Sequence, residues 1–144
     1  MKIFASFIAL CALSLTLMAA PLPEVTVYKS AYCGCCGNWT KHMESNGFKV
    51  KTIVTEDMDT VKKKFNIPGN LQSCHTAVIG DYIIEGHVPA DLIKKLLKDA
   101  PKVKGLTVPG MIVGTPGMEQ GIMKQPYEVL TFQENGKVST YAKR

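Results

Sequence analysis

The sequence predicts a mixed α/β sandwich. Three observations carry this. Short β-rich runs alternate with stretches of helical periodicity from residue 25 onward. The first β-rich run leads directly into a cluster of cysteines and then into a helical pattern. Two later β-rich runs are joined by Gly80-Asp81, a tight-hairpin pair.

Val25-Thr26-Val27-Tyr28 is the first strand. The helix after the cysteines carries Trp39 and Met43, four apart and so on one buried face, and Asn46-Gly47 stops it. Residues 48–54 form the second strand, with Phe48, Val50 and Thr52 on one side. Residues 56–65 read as a helix that turns Met58, Val61 and Phe65 inward, broken by Ile67-Pro68-Gly69-Asn70. Strands follow at 76–79 and 82–85. Pro89 opens a helix at its first position, and Leu92, Ile93, Leu96 and Leu97 form the apolar stripe. The order is therefore β, cysteine motif, α, β, α, β, β, α, which is thioredoxin-like.

Beyond that sandwich, residues 101–126 form a Gly/Pro/Met-rich loop with a near-repeat, Pro109-Gly110-Met111 and Pro116-Gly117-Met118, followed by Met123. A long loop of this kind between regular elements often serves as a lid. Residues 127–132 and 137–141 then make a C-terminal β-hairpin across Glu134-Asn135-Gly136.

The N-terminus has a different character. Lys2 precedes an almost wholly apolar stretch over 4–18, which ends at Ala19-Ala20. This predicts a signal peptide over 1–20 and a single domain over 21–144. The apolar stretch is shorter than the ~20 residues of a membrane span, so no span is expected once the signal is removed. Hydrophobic residues make up 46% and charged residues 20%, ordinary for a chain that folds around a core. The formal charge is +5, but the lysines fall mostly on polar helix faces. With no basic stripe interleaved by aromatics, nucleic-acid binding is not expected. No phosphate-binding glycine loop follows a strand, and no acidic pair has informative spacing.

The chemistry concentrates in the thiols. Cys33, Cys35 and Cys36 occupy three of four consecutive positions, and Cys74 follows with His75 beside it. Cys11 falls within the expected signal peptide. In an exported chain, thiols become disulfides unless a metal or a reductant claims them. Cys33 and Cys36 have redox spacing, and Cys35 lies between them, able to attack either sulfur or to bind metal. Three thiols this close suit a single tetrahedral zinc poorly and suit thiolates bridging several copper(I) ions better. Metal binding, dithiol redox chemistry and structural disulfides all stay open at this point.

The predicted order places the motif at a helix N-terminus, where free N–H groups favour thiolates. It also places Ser73-Cys74-His75-Thr76 opposite, where a thioredoxin carries a proline. His75 is thus a ligand candidate or a neighbour of one. Met111 and Met118 are thioethers that could ligate copper(I) or cap the core. His42 lies seven residues past Cys35, ~10 Å along the helix, which suits a core-edge role. His87 reads as a loop residue before the last helix.

The chain resembles the periplasmic CopG-type copper-resistance proteins, long catalogued as a domain of unknown function. The resemblance rests on Tyr28-Lys29-Ser30, Cys33-Gly34-Cys35-Cys36-Gly37-Asn38-Trp39, Ser73-Cys74-His75-Thr76-Ala77 and Glu85-Gly86-His87-Val88-Pro89-Ala90-Asp91. Val108-Pro109-Gly110-Met111, Pro116-Gly117-Met118-Glu119 and Pro126-Tyr127-Glu128-Val129-Leu130 extend it. Ala31 and Gln125 depart from the family pattern, and neither touches a sulfur. The resemblance implies a thioredoxin-like fold and copper held by Cys33, Cys35, Cys36 and Cys74. It also implies a role in copper tolerance through copper(I)/copper(II) interconversion. His75, Met111 and Met118 complete the expected ligand set. Partners would be copper ions and other periplasmic copper-handling proteins. Two alternatives remain: a thiol-disulfide oxidoreductase using Cys33 and Cys36, and a non-catalytic copper chaperone.

Overall fold

The computed structural model describes residues 20–144, so all but the last residue of the expected signal peptide, and Cys11 with it, lie outside the described residues. Strand β1 (Val25–Lys29) leads into helix α1 (Gly34–Ser45), strand β2 (Val50–Val54) and helix α2 (Met58–Lys64). Strands β3 (Thr76–Ile79) and β4 (Tyr82–Glu85), helix α3 (Ala90–Asp99), and strands β5 (Gly105–Thr107), β6 (Glu128–Phe132) and β7 (Val138–Lys143) follow. The architecture is the expected mixed α/β, with every element of the predicted order through α3 in place.

One sheet runs in the order β2-β1-β3-β4-β5-β6-β7. Pairs β1/β2 and β4/β5 are parallel, and the rest are antiparallel. The two parallel pairs are those bridged by α1 and by α3, as a parallel connection needs a crossover. Both helices pack on one face: Trp39 and Met43 of α1, and Leu92, Ile93 and Leu96 of α3, join Val25, Val27, Ala77, Ile79, Ile84 and Leu106 in one buried cluster. A smaller cluster of Ile67, Leu71, Ile83 and Phe132 involves the opposite-facing strand residues. The Trp39 indole N–H donates to the Val88 carbonyl at 2.9 Å, which ties α1 to the segment entering α3. Helix α1 ends as expected: Gly47 takes φ +88°, and the Phe48 N–H bonds back to the Met43 carbonyl at 3.1 Å.

Four expectations needed correction. Helix α2 is shorter than 56–65 because Asp57 caps it, its carboxylate accepting the Thr60 N–H at 3.0 Å. Lys62 is not on a solvated face; it is 5% exposed and paired with Glu85. The 101–126 segment is not all loop, since β5 lies within it and links the C-terminal hairpin to the rest of the sheet. Strand β5 has only three residues, too few for a period-2 pattern to register. Its signal is Gly105, where an added Cβ would sit 1.7 Å from the Ile83 carbonyl oxygen, so only glycine permits this parallel approach. Thr52 is also exposed on edge strand β2 rather than aligned with buried Phe48.

Candidate metal centre

The cysteine motif falls where β1 hands over to α1. Cys33 is the residue before the helix, and Cys35 and Cys36 lie in its first turn. Cys36 points into the core and is fully buried, whereas Cys33 and Cys35 are half-buried. Cys33 and Cys36 form a disulfide, with Cα atoms 5.4 Å apart. The Cys35 sulfur lies 3.5 Å from that of Cys33. Cys74 enters from the segment before β3, and the four sulfurs all lie within 4.8 Å of one another. The convergence foreseen between the motif and Cys74 is therefore met in the structure.

Beneath Cys74 sits a buried polar network. Glu85, at the end of β4, has no exposure. Its carboxylate accepts the Ser73 N–H at 2.7 Å, the Thr76 hydroxyl at 2.6 Å, and the Lys62 ammonium. Burial raises the Glu85 pKa above its usual range, and Lys62 opposes that shift. Because its acceptors are filled from both sides of Cys74, this carboxylate fixes the backbone that presents the thiol.

Two imidazoles complete the site. His75 Nδ1 lies 3.4 Å from the Cys74 sulfur, and His87 Nε2 lies 3.1 Å from it. Cys74, His75 and His87 bring their donor atoms within 4.8 Å of one another. Burial lowers the pKa of both histidines, that of His75 well below 6.5, with His87 and Lys62 adding to the His75 shift. Both rings are thus neutral donors at neutral pH. Cys74 shifts the other way: burial first, and then the neighbouring Cys35, push its pKa up to about 12. A metal arriving at Cys74 must displace a proton.

His87 was expected to be a loop residue without a ligand role, and the fold brings it to Cys74 instead. The sequence signal was the tight turn at Gly86, which has φ +73° and leaves an added Cβ only 2.5 Å from the Ser73 side chain. That turn lays His87 back across the Cys74 segment. His42 behaves as expected at the core edge, its Nε2 accepting the Ala90 N–H at 3.1 Å.

The Gly/Pro/Met segment packs against this site. Ser73 donates its hydroxyl to the Gly110 carbonyl at 2.5 Å, and the Gly110 N–H bonds to the Gln72 carbonyl at 3.1 Å. His87 Nδ1 bonds to the Pro116 carbonyl at 2.7 Å. Gly117 lies so close to α1 that a Cβ there would be 2.8 Å from the Cys35 carbonyl. Met118 follows and is half-buried, whereas Met111 is 49% exposed.

A solved structure described as "Copper resistance protein copG, Form 2" matches with a TM-score of 0.82 and 44% identity, over 87% of this chain and 99% of that one. The chain belongs to the CopG copper-resistance protein family. A second form of that CopG protein matches with a TM-score of 0.81 and 43% identity, over 85% of this chain and 98% of the other. Residues 71–118 match a family described as "Protein of unknown function, DUF411". That span holds Cys74, His75, His87, Met111 and Met118, and the CopG match reaches beyond it to most of the chain. None of the curated proteins matches the chain.

Proposed function

We propose that this CopG-family chain is an exported copper-binding protein of copper resistance. It holds copper(I) on Cys33, Cys35, Cys36 and Cys74 as a cysteine-bridged multinuclear cluster. The observation that carries the reading is the convergence of four sulfurs, each within 4.8 Å of the others, at the start of α1. Thiolates are soft donors and prefer copper(I) over harder cations. Copper is the cargo here. The relatives named as copper-resistance proteins support the same assignment. His75, with Nδ1 3.4 Å from the Cys74 sulfur, and the thioethers of Met111 and Met118 in the adjoining segment are the further donors of this reading. Removal of residues 1–20 as a signal peptide leaves 21–144 as one thioredoxin-like domain, which works in the periplasm beside other copper-handling proteins.

Two of the four sulfurs are joined in the disulfide form, so full loading begins from the reduced protein. A dithiol reductant opens Cys33–Cys36 by exchange, giving two electrons and two protons and becoming a disulfide itself; the two thiols formed release their protons to solvent as their sulfurs bind copper(I). Native mass spectrometry of the reduced mature protein after copper(I) loading tests the cluster. More than one copper per chain, retained against a nanomolar competitor, is the expected result. A single copper would overturn it.

The Cys33–Cys36 disulfide itself favours a second reading, a thiol-disulfide oxidoreductase. Cys33, the more exposed of the pair, would be the nucleophile and buried Cys36 the resolving thiol. Disulfide reductase activity of copper-free protein that is abolished by Cys33→Ser favours this reading. Absence of such activity, with no copper(I)/copper(II) cycling under a mild oxidant, leaves a non-catalytic chaperone.

A further inference from the structure

We propose that Asn135 is a self-modification site. Its side-chain amide is lost through attack by the Gly136 backbone nitrogen, with water as the only co-reactant. The site lies at the end of the sheet away from the cysteine cleft. Strand β3 starts just after Cys74 and runs to the Gly80-Asp81 turn, and Asp81 lines one groove with Lys102, Lys104, Glu134 and Asn135.

The chain holds two Asn-Gly pairs, and the fold treats them differently. Asn46 ends α1 and is half-buried; its Nδ2 donates to the His42 carbonyl at 2.8 Å, which holds the side chain back on the helix. The Gly47 N–H is bonded to the Glu44 carbonyl at 2.9 Å, and the next N–H, of buried Phe48, to the Met43 carbonyl. Asn135 instead sits exposed in the β6–β7 turn. Its Oδ1 accepts the Lys137 N–H at 3.0 Å, the bond an asparagine makes to its own backbone two residues on. That bond brings the side chain forward over Gly136 and draws electron density from Cγ, the atom to be attacked. A Cβ on Gly136 would meet nothing within 4 Å, so base and leaving group have open access. Only the bond from the Gly136 N–H to the Gln133 carbonyl, 3.0 Å, has to open, and it lies in an exposed turn.

The chemistry balances without an oxidant or a reductant. Hydroxide removes the Gly136 amide proton, and the nitrogen attacks Asn135 Cγ. The new N–Cγ bond closes a cyclic succinimide as the Cγ–Nδ2 bond breaks, and ammonia leaves with a proton taken from water, which restores the hydroxide. Water then opens the ring at either carbonyl and yields aspartate or isoaspartate. Over both steps, the side-chain amide and water become a carboxylate and ammonium. The new carboxylate adjoins Glu134, which pairs with Lys104 in the groove. The isoaspartate form also lengthens the backbone of the turn that sets the Phe132–Val138 pairing of β6 with β7.

The test incubates the folded mature chain at mildly alkaline pH and maps the tryptic peptides 42–49 and 125–137, which carry the two pairs. The amide-to-acid mass gain is assigned to its residue by fragmentation, and isoaspartate is counted with an isoaspartyl methyltransferase as the probe. Conversion at Asn135 should be at least roughly 10-fold faster than at Asn46, the factor that one further hydrogen bond to open is worth. The same chain unfolded in urea supplies the reference, and there the two pairs should convert at closely similar rates. A ratio in the folded chain no larger than that in urea overturns the proposal. So does an Asn135 that stays intact in the folded chain while it converts in urea. Neither arm uses a variant, so no outcome depends on a substitution that fails to fold.

Discussion

At Cys35 the sulfur lies 3.5 Å from that of Cys33, which is itself bonded to Cys36. A dithiol switch needs only Cys33 and Cys36, so Cys35 is the thiol that a cluster requires and a switch does not. Cys35→Ser is expected to lower the copper(I) count per chain, read by native mass spectrometry; an unchanged count reduces the motif to a simple redox pair. Glu85 is the other decisive residue at this scale. Glu85→Leu strands the Lys62 ammonium in the core and frees the Ser73 N–H, and it should cost about 3–5 kcal/mol in urea unfolding. A Lys62→Met/Glu85→Leu double variant should recover most of that loss, since replacing both charges removes the unpaired ion. Recovery of fold without recovery of metal binding would identify the network as the support of Cys74. The thiols were legible in the sequence because their spacing is itself the signal. Lys62 was not, since a lysine in a run of three reads as a solvated face until its distant partner is known.

Among the elements, the 108–118 segment has the closest relation to the site. It touches the site through Ser73, Gln72, His87 and α1, so it is a fixed wall rather than a free lid. Gly117 makes this possible: it has φ +85°, and an added Cβ would stand 2.7 Å from the Trp39 backbone nitrogen. Gly117→Ala should cost about 1–3 kcal/mol in thermal or urea unfolding and raise the alkylation rate of Cys35, as the wall lifts off α1. An unchanged rate would mean that the wall does not shield the thiols. The near-repeat of Pro-Gly-Met drew attention to this segment, yet its contacts run through backbone carbonyls, which leave no side-chain pattern to read. Strand β5 was missed for a related reason. Its pairing depends on the close approach of Gly105 to Ile83, a relation between residues far apart in the chain.

The whole molecule couples the site to stability through its buried imidazoles. His75 and His87 are lowered by burial, so the unfolded chain takes up protons below about pH 6.5 while the folded chain stays neutral. Their stabilisation is therefore present above that pH and is lost as pH falls, with a slope of up to about 1.4 kcal/mol per pH unit for each ring. Glu85 is shifted upward and offsets part of the loss, because its folded form gains a proton more readily. The melting temperature of metal-free protein should fall between about pH 7 and pH 5, and His87→Gln should flatten that dependence if the variant folds. A melting temperature that rises over this range would contradict the burial of neutral rings. The sequence alone determined the mixed α/β order, the helix that follows the cysteines and the gathering of Cys74 with them, because periodicity, turn residues and motif spacing are local properties of a chain. Only the tertiary structure decided that His87 reaches Cys74, that Lys62 lies buried against Glu85 and that Pro116 orients an imidazole. Each of these joins residues distant in sequence through burial and hydrogen bonding, and neither leaves a periodic trace.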